Sequence, residues 1–386
     1  MINPIVVKGK HNEALVFVKA IEANAEDRLR QYLDHPAFAG TQTRIMPDVH
    51  LGKGTVVGFT ATHPAGTPLI PAIIGVDIGC GVCACNLGPG NLRFDKLDVF
   101  IRKNIPTGMD VRASLHEKLD AALAFVTLDT TPAAFKNELR TLCDKQRHTP
   151  ERIFASLGTL GGGNHFIEVD RDEDNNRWLL IHSGSRILGA RTAEYHEVVA
   201  LRETPDESPL KYLCDTFADD YLADMRLVQR YALVNRVLMA MSIAEDFFKR
   251  DMGETEFRDS VHNYVDFGDG VVRKGAISAH KDEPVVIPFS MSEGAILGRG
   301  KGNAAWNDSA PHGAGRKLSR KQAHSGLSLD EYRKRMRGIW STTVCKETLD
   351  ESPMAYKRPK DILEYLGETV DIEKRLTPLY NFKNVE

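Results

Sequence analysis

The hydrophobic residues of this chain follow two spacings, one helical and one typical of β-strands. Apolar side chains recur every three or four positions in residues 13–33 and stop before Pro36, which predicts an amphipathic helix. The same spacing over about 190–250 predicts a helical region in which residues 218–250 form one long helix packed on the core. Two shorter helices are predicted within residues 111–147.

Short apolar runs of β-strand character alternate with these helices, and several end in glycine-rich turns. Strands are predicted in residues 43–54, in 72–87 as two buried strands, before 157, in 164–169, in 178–182, in 258–265 paired with 271–275 as a hairpin, in 285–291 and in 379–383. The rest of 330–386 is predicted to be mainly helical. The sequence therefore predicts an α+β fold, a single domain over residues 1–386 with central β-sheets and helices packed outside.

The composition is that of a globular protein, since 42% of the residues are apolar and 27% are charged. The formal net charge is -3, so any polyanion partner would need a local basic patch. Such a patch is formed by Arg299, Lys301, Arg316, Lys317, Arg320 and Lys321. A run of this kind is equally typical of a solvated helix face. The sequence shows no apolar run of membrane-spanning length and no signal peptide, which predicts a cytoplasmic protein without a membrane partner.

The six cysteines are too few for a disulfide scaffold, so they are predicted to be metal ligands or buried core residues. Cys80, Cys83 and Cys85 lie in one apolar run and allow two interpretations. The first is a structural zinc site, which needs a second close pair of ligands that the other cysteines do not provide. The second is that Cys83 and Cys85 are core residues of a strand, while Cys80 supplies a thiolate that bridges two metal ions.

Potential metal ligands lie at the ends of several predicted strands. Asp77 stands in an apolar run, where a carboxylate is costly to desolvate unless it is paired or binds a metal. Cys80 follows three residues later, and three histidines occupy glycine-rich or strand-end positions, namely His165, His182 and His262. A histidine at a strand end, taken alone, is more often a satisfied core or surface residue. Together these oxygen, sulfur and nitrogen donors suit a pair of transition-metal ions such as manganese, zinc or cobalt better than magnesium.

A histidine followed by glycines forms the other candidate for chemistry. Next to His312, Gly313 and Gly315 lack the Cβ atoms that would keep a bulky charged group from the backbone. This pattern predicts a phosphate-handling turn, and the alternative is a glycine-rich surface loop with an incidental histidine. Similar turns in residues 161–165 and 182–186 favour the first interpretation.

Several motifs along the chain have a combined specificity that none has alone. They are Met46-Pro47-Asp48-Val49-His50 with Gly52 and Gly54, Gly75 through Gly81, Gly161 through Glu168, His182 through Arg186, His262-Asn263-Tyr264, Arg273 through Ala276, His312 through Arg316 with Ser319-Arg320, and Ala355-Tyr356-Lys357. Together with Lys383, this set resembles the RtcB-type RNA ligases, a GTP- and manganese-dependent family that joins broken RNA ends. The likeness covers most of the chain.

The resemblance implies a mechanism and a metal site. Two manganese ions would be bound by Asp77, Cys80, His165, His182 and His262. His312 would attack the α-phosphate of GTP and become guanylylated. The GMP would then pass to an RNA 3′-phosphate, or to an end derived from a 2′,3′-cyclic phosphate, and a 5′-hydroxyl end would displace it to seal the strand.

The resemblance also assigns contacts to GTP and RNA. The residues expected around GTP are Asn164, Phe166, Glu168, Asn263, Pro288, Phe289, Ser290, Met291, Gly313, Ala314, Gly315 and Lys383. RNA phosphates would be held by Arg186, Arg316 and Arg320, because a guanidinium group can grip a phosphate at two points. The expected partners are broken RNA and GTP, the need for an activating partner is left open, and RNA repair is favoured over tRNA splicing in a shorter, divergent bacterial branch.

The sequence departs from the family pattern close to the expected nucleotide. Residues 288–293 read Pro-Phe-Ser-Met-Ser-Glu where the family commonly has Pro-Gly-Ser-Met-Gly-Thr, and Ala310-Pro311 replaces a Cys-Ser pair before His312. These departures bear on the strictness of GTP recognition and leave the metal ligands intact. Two other functions stay open: a dinuclear metal phosphoesterase that acts on RNA ends without ligation, and an RNA-end binding protein without turnover.

Overall fold

The computed structural model of the chain describes residues 3–64, 66–127, 130–204 and 210–385. The strands are β1 (Ile5–Lys8), β2 (Glu13–Val16), β3 (Thr43–Leu51), β4 (Val56–Thr62), β5 (Gly81–Gly88), β6 (Phe166–Arg171), β7 (Arg177–Ser183), β8 (Phe257–Val261), β9 (Asn263–Val265), β10 (Val271–Lys274), β11 (Ala276–Ser278), β12 (Pro284–Pro288), β13 (Ala295–Gly300), β14 (Ser309–Pro311) and β15 (Val370–Phe382). The α-helices are α1 (Ala23–Leu33), α2 (Pro71–Ile74), α3 (Phe94–Asn104), α4 (Leu119–Phe125), α5 (Pro132–Gln146), α6 (Pro150–Ala155), α7 (Arg186–Glu203), α8 (Asp215–Met241), α9 (Arg320–Gly326), α10 (Leu329–Arg335) and α11 (Pro359–Leu366).

Two large β-sheets form the framework. Within the described ranges, one sheet has six strands in the order β1-β2-β3-β4-β10-β9, and the other has seven in the order β12-β13-β15-β6-β7-β5-β8. β11 and β14 form a separate two-stranded ladder. β2 and β3 run parallel, whereas the neighbouring pairs around the site, such as β5 with β7 and β6 with β7, are antiparallel.

The chain passes between the sheets at a few positions that lie close together. β8 belongs to the seven-stranded sheet and β9 to the six-stranded sheet, and His262 is the residue between them. Gly275 lies at a second crossing point, where the chain passes from β10 in the six-stranded sheet to β11 in the two-stranded ladder. Its φ is +59°, and a Cβ there would lie 2.1 Å from Cγ1 of Val57, so this position requires glycine. Because β14 pairs with β11 and ends just before His312, that histidine lies at the same junction.

Helix α8 runs through the main hydrophobic core and continues as a π-helical turn over Ser242–Phe247. Its second half is buried on every side, as Val234, Val237 and Leu238 show. A helix that is apolar nearly all round packs inside a protein, so α8 provides the surface on which β5 and β7 lie.

Arg236 of α8 is a fully buried cation. Its guanidinium pairs with both carboxylate oxygens of Asp259 on β8, at 2.6 and 2.7 Å. It also donates to the carbonyl oxygens of Gly79, at 2.8 Å, and Ser183, at 2.9 Å. A buried charge is tolerated only when it is paired in this way. α8 therefore holds β8, the turn before β5 and the end of β7 in a fixed relation.

The predicted α+β class is confirmed. The long helix predicted for 218–250 corresponds to α8 and its π-helical continuation, and the predicted hairpin corresponds to β9 and β10. β3, β7 and β12 lie where the sequence predicts strands. Among the described helices, none combines the length and the apolar character needed to cross a membrane.

Two predictions near the start and end of the chain are wrong because strand partners decide the structure. Residues 13–16 form β2 between β1 and β3, so the helix predicted for 13–33 begins only at Ala23. The strand predicted for 379–383 extends over 370–382, because β15 pairs with β13 along one part and with β6 along the other.

Two further predictions are wrong because a proline begins a helix. α2 replaces the first of the two strands predicted in 72–87, and α6 replaces the strand predicted before 157. Pro71 and Pro150 occupy the first helical positions, where the missing N–H costs nothing and the fixed φ is already helical.

The role of Arg236 leads to a stability prediction. In Arg236→Met, the Asp259 carboxylate and two carbonyl oxygens lose their buried donor, so we expect the free energy of unfolding to fall by about 3–5 kcal/mol. Urea denaturation followed by circular dichroism measures this change. Arg375→Met, at an exposed arginine on β15, is the control and should alter stability by less than about 0.5 kcal/mol. Equal stabilities of the two variants would contradict the role assigned to Arg236.

Candidate metal and nucleotide site

Cys80 and three histidines from separate segments of the chain lie close together. Cys80 stands in the turn before β5, His165 just before β6, His182 on β7 and His262 between β8 and β9. Cys80 Sγ lies 3.3 Å from His182 Nε2 and 3.5 Å from His165 Nε2. His182 Nε2 lies 3.3 Å from His262 Nε2, and all four side chains are buried. One sulfur and three imidazole nitrogens thus surround a small common space.

Asp77 joins this cluster from the turn after α2. Its Oδ2 lies 2.9 Å from His165 Nε2, and its Oδ1 accepts a hydrogen bond from the backbone N–H of Ser185 at 3.1 Å. A Cβ on Gly184 would lie 2.1 Å from Oδ1 of Asp77. The glycine of the His-Ser-Gly-Ser-Arg turn is therefore needed to let the carboxylate approach.

Backbone carbonyl groups orient two of the imidazole rings. Nδ1 of His165 lies 2.9 Å from the carbonyl oxygen of Leu160, and Nδ1 of His182 lies 3.1 Å from that of Asn164. A carbonyl accepts only, so Nδ1 is the donor in both rings, and in the neutral tautomer that this selects the lone pair is on Nε2. Both lone pairs point into the cluster, as in histidines that bind metals.

Burial controls the charge of these donors. It lowers the pKa of His182 and His262 well below the ordinary histidine value, and the neighbouring histidines add to this effect. Burial, followed by the charge of Asp77, raises the pKa of the Cys80 thiol. Neutral imidazoles are the form that binds a metal, and a divalent cation would supply the positive charge that a Cys80 thiolate requires. The combination of sulfur, nitrogen and oxygen donors therefore fits a transition-metal ion.

His312 lies beside this cluster and is held by an aspartate from the other sheet. Its ring is centred 4.8 Å from that of His262. Its Nδ1 lies 2.6 Å from Oδ2 of Asp48, a fully buried residue of β3, and its backbone N–H donates to the same oxygen at 3.1 Å. Because Nδ1 donates its proton in a hydrogen bond to this carboxylate, Nε2 is the ring nitrogen left with a lone pair.

A cavity of about 350 Å³ extends from the metal-ligand cluster past His312. Its walls include four of the five predicted metal ligands, and His165 contacts these from behind. Every residue predicted to surround GTP lines it: Asn164, Phe166, Glu168, Asn263, Pro288, Phe289, Ser290, Met291, Gly313, Ala314, Gly315 and Lys383. A volume of this size is typical of small-molecule sites.

Comparison with known proteins decides the family. Residues 32–384 match the model of the family described as tRNA-splicing ligase RtcB. This chain belongs to the RtcB family. The RNA-splicing ligase RtcB of Escherichia coli is 32% identical over 383 residues, which cover 91% of this chain and 92% of that protein. The tRNA-splicing ligase RtcB of Nanoarchaeum equitans is 28% identical over 404 residues and 84% of each chain. The resemblance inferred from the motifs is thereby confirmed.

We call the 350 Å³ cavity beside His312 the RtcB-type cavity, and two of the three predicted RNA-binding arginines line it. Arg316 and Arg320 form part of its wall. The side chain of Arg186 lies elsewhere, where it donates to Oγ1 of Thr159 at 3.0 Å and to the carbonyl oxygen of Gly108 at 2.5 Å. Arg186 therefore braces the loops before β6.

Glu351 forms ion pairs with three basic side chains at one end of the cavity. Its Oε1 lies 3.1 Å from Nη1 of both Arg316 and Arg320, and its Oε2 lies 3.2 Å from Nζ of Lys383. It also accepts a hydrogen bond from the Tyr356 hydroxyl at 2.6 Å. Burial opposes ionisation, but the charges of Lys383, Arg320 and Arg316 lower the pKa of Glu351 to about 2. An ionised Glu351 thus fixes the positions of three cations that face the cavity.

Two buried carboxyl groups lie next to each other on β6, and one of them, Glu168, lines the cavity. Glu168 and Asp170 project from the same face of β6, because alternate residues of a strand share a face. Glu168 accepts a hydrogen bond from Asn381, whereas the oxygens of Asp170 meet no donor among the residues that the structure describes. Burial, and then the charge of Glu168, raises the pKa of Asp170 well above its ordinary value, and burial raises the pKa of Glu168 to about 7. The pair therefore holds a proton at neutral pH.

Sequence reasoning assigned no role to three side chains at this site, Asp48, Glu351 and Asn381. Asp48 lies within a strand that is otherwise largely apolar and buried, which is the signal that identified Asp77. Glu351 stands in a short 3-10 turn and Asn381 near the end of β15, and no local pattern distinguishes them. Their roles depend on partners distant in sequence.

The positions of Cys80, Cys83 and Cys85 distinguish the zinc-site interpretation from the interpretation in which only Cys80 binds metal. Cys83 and Cys85 point from β5 into the main hydrophobic core, and Cys85 Sγ lies 3.4 Å from Met252 Sδ. Within the described part of the chain, the cysteine that groups with histidines at metal-binding spacing is Cys80, with His165 and His182. The structure favours core residues over a zinc knuckle for Cys83 and Cys85.

A metal-binding prediction separates Cys80 from its neighbour. Cys80→Ala removes the sulfur at the centre of the cluster and should weaken manganese binding by more than about 100-fold. Cys83→Ala removes a buried thiol of similar size and should leave the affinity unchanged. Isothermal titration calorimetry on the metal-free proteins measures both. Equal losses in the two variants would restore the zinc-knuckle interpretation.

The shared proton of Glu168 and Asp170 predicts a pH effect on stability. A carboxyl whose pKa is higher in the folded protein binds more protons folded than unfolded, so rising pH destabilises the fold. From pH 5 to pH 8, the melting temperature of the wild type should therefore fall relative to that of Asp170→Asn, which cannot ionise at this position. Asp95→Asn, at an exposed aspartate, serves as the control. A pH-independent difference between wild type and Asp170→Asn would show that Asp170 titrates normally.

Proposed function

We propose that this RtcB-family chain is a GTP- and manganese-dependent RNA ligase. It joins an RNA 3′-phosphate or 2′,3′-cyclic-phosphate end to a 5′-hydroxyl end through a guanylylated histidine. The observation that carries the proposal is the position of His312. Its ring lies between a buried aspartate and the metal-ligand cluster, and one nitrogen remains free to attack a phosphate.

The first step is nucleophilic attack by His312. Nε2 forms a bond to the α-phosphorus of GTP, and pyrophosphate leaves. The ring then gains positive charge, which the Asp48 carboxylate offsets from 2.6 Å at Nδ1. Asp48 also keeps the reactive tautomer in place before the attack, since its oxygen fixes the proton on Nδ1.

Two manganese ions would be held by Asp77, Cys80, His165, His182 and His262. When bound, divalent ions neutralise the charge that develops on phosphoryl oxygens. The chain itself prepares this site, because carbonyl groups orient the rings of His165 and His182 and a backbone N–H positions Asp77.

The cavity walls provide contacts that suit a purine nucleotide. Phe166 and Phe289 offer apolar surface to a base, and the carboxyl group of Glu168 can accept from the N–H groups of guanine. Lys383 lies 5.4 Å from the centre of the Phe166 ring and places a cation near the same space. Gly313 and Gly315 let the backbone approach the phosphates next to His312.

The remaining steps transfer GMP and seal the RNA. A 3′-phosphate oxygen attacks the phosphorus on His312, which breaks the P–N bond and joins GMP to the RNA end. The 5′-hydroxyl then attacks the RNA 3′-phosphorus, and GMP leaves. A cyclic phosphate must first be opened by water to the 3′-phosphate. Arg316 and Arg320, fixed by Glu351, are the cations that would hold the RNA phosphates.

Other aspects of the proposal come from the sequence. RNA repair in preference to tRNA splicing, action in the cytoplasm and a single domain over residues 1–386 stay predictions. The strictness of GTP recognition, given the departures in residues 288–293, also stays a prediction.

Labelled GTP tests the nucleophile directly. His312→Ala should lose the acid-labile GMP adduct and ligation from GTP, because no other ring nitrogen takes its place. It should still bind manganese and should still seal an RNA supplied with a guanylylated 3′ end. His280→Ala is a matched control, since His280 also pairs with an aspartate, at 3.1 Å, but lies outside the cavity wall.

Three outcomes would contradict the ligase proposal. A GMP adduct on His312→Ala would place the nucleophile on another residue. Release of phosphate from RNA 3′ ends by the wild type without any GMP adduct would favour a phosphoesterase. Binding of RNA ends without turnover would favour a protein that has lost catalysis.

A further inference from the structure

A second large cavity lies on the protein surface, away from the RtcB-type cavity. It measures about 570 Å³ and lies between α7 and the end of α5. Its wall is formed by Lys145, Gln146, Arg147, His148, Arg191, Glu194, Tyr195, Val198, Val199 and Arg202. We call it the α5–α7 groove. None of these residues takes part in the proposed ligation chemistry.

One face of α7 supplies most of the groove. Arg191, Tyr195, Val198 and Arg202 follow one another at intervals of four, three and four residues, which places them on the same side of the helix. At 1.5 Å per residue this stripe is about 16 Å long. It exposes two arginines with an aromatic ring and an aliphatic side chain between them, and Val198 is 42% exposed.

The groove carries positive charge that the protein does not neutralise. Four basic side chains line it, against the single carboxylate of Glu194. Glu194 pairs with Arg191 at 2.8 Å, and Lys145 is paired with Asp220 and Asp224 on α8. The guanidinium groups of Arg147 and Arg202 form no ion pair with an acidic side chain in the described ranges. They are therefore available to an external anion.

The neutral side chains of the groove suit a nucleic-acid strand. Tyr195 is half-buried, with Lys145 Nζ 5.6 Å from its ring centre. Burial, and then the charge of Arg191, lowers the pKa of His148, so that its ring is neutral near pH 7 and can both donate and accept. Arginines that track a phosphate backbone, with an aromatic ring for a base, are the elements that single-strand binding sites combine.

Helix α7 connects this groove to the candidate active site. The helix begins at Arg186, directly after Ser185, whose N–H holds Asp77. From there, Arg191 is about 8 Å and Arg202 about 24 Å along the helix axis. At 3.4 Å per nucleotide of a stacked strand, this length corresponds to about two to seven nucleotides.

We propose that the α5–α7 groove binds the single-stranded RNA backbone of the substrate, a few nucleotides from the end that is joined. This inference rests on the proposed function and adds a second contact region to it. Arg147 and Arg202 contact phosphates, and Tyr195 stacks on a base. The RNA end occupies the RtcB-type cavity at the same time.

Binding of a 20-nucleotide single-stranded RNA with a 3′-phosphate, measured by fluorescence anisotropy on the full chain, tests the groove. The double variant Arg147→Ala and Arg202→Ala should raise the Kd roughly tenfold, and it should lower the slope of log Kd against log salt by about 1.4, since each phosphate contact contributes about 0.7. Tyr195→Leu should raise the Kd about fivefold with an unchanged salt slope, because stacking involves no counterion release. The control, Arg93→Ala with Arg375→Ala, removes two exposed arginines elsewhere and should have little effect.

The GMP adduct separates this inference from the function on which it rests. All groove variants should form the adduct with labelled GTP at the wild-type rate, because the groove lies outside the RtcB-type cavity; this also shows that they are folded. Normal adduct formation with an unchanged Kd and salt slope would overturn the groove proposal and leave the ligase proposal standing. In that case an acidic protein partner becomes the better occupant. Absence of the adduct from the wild type would overturn the ligase proposal itself, whatever the groove binds.

Discussion

The candidate site depends on the burial of one positive charge. Arg236 lies inside the protein, so its guanidinium must find every partner within the chain or cost several kcal/mol. Each partner is close to a predicted metal ligand: Gly79 precedes Cys80, Ser183 follows His182, and Asp259 lies three residues before His262. A shift of any of these segments would leave a buried donor unpaired. The arginine therefore acts as the common reference for three ligands that come from different parts of the chain.

The sequence predicts this fold well where local spacing and tertiary packing agree. α8 keeps its helical spacing because one helix passes through the core, and β7 is apolar because it is covered on both faces. The predictions fail where a distant partner decides the structure. β2 has the spacing of a helix but pairs with β1 and β3. Most of β15 belongs to a charged segment predicted to be helical, although it lies between β13 and β6.

The same distinction applies to the site. Asp77 and Cys80 are recognisable locally, because a carboxylate and a thiol in an apolar run need an explanation. The three histidines can be recognised as metal ligands only when they are considered together, and the family motifs are what group them. The contact between Asp48 and His312 and the ion pairs of Glu351 join segments more than 30 residues apart, and neither spacing nor composition reveals them. Physical reasoning from the sequence therefore identifies the donors better than it identifies the groups that position them.

The place of β15 in the seven-stranded sheet has a consequence for how the protein is made. This strand, residues 370–382, is inserted between β13 and β6 and thus joins two parts of the sheet that are formed much earlier in the chain. During synthesis, β6 and β7 leave the ribosome with an open edge where β15 will later pair. The wall that contains Asn381 and Lys383 is absent until then. The ribosome must release almost all of the described chain before the cavity closes, and any chaperone that shields the β6 edge would act in that interval.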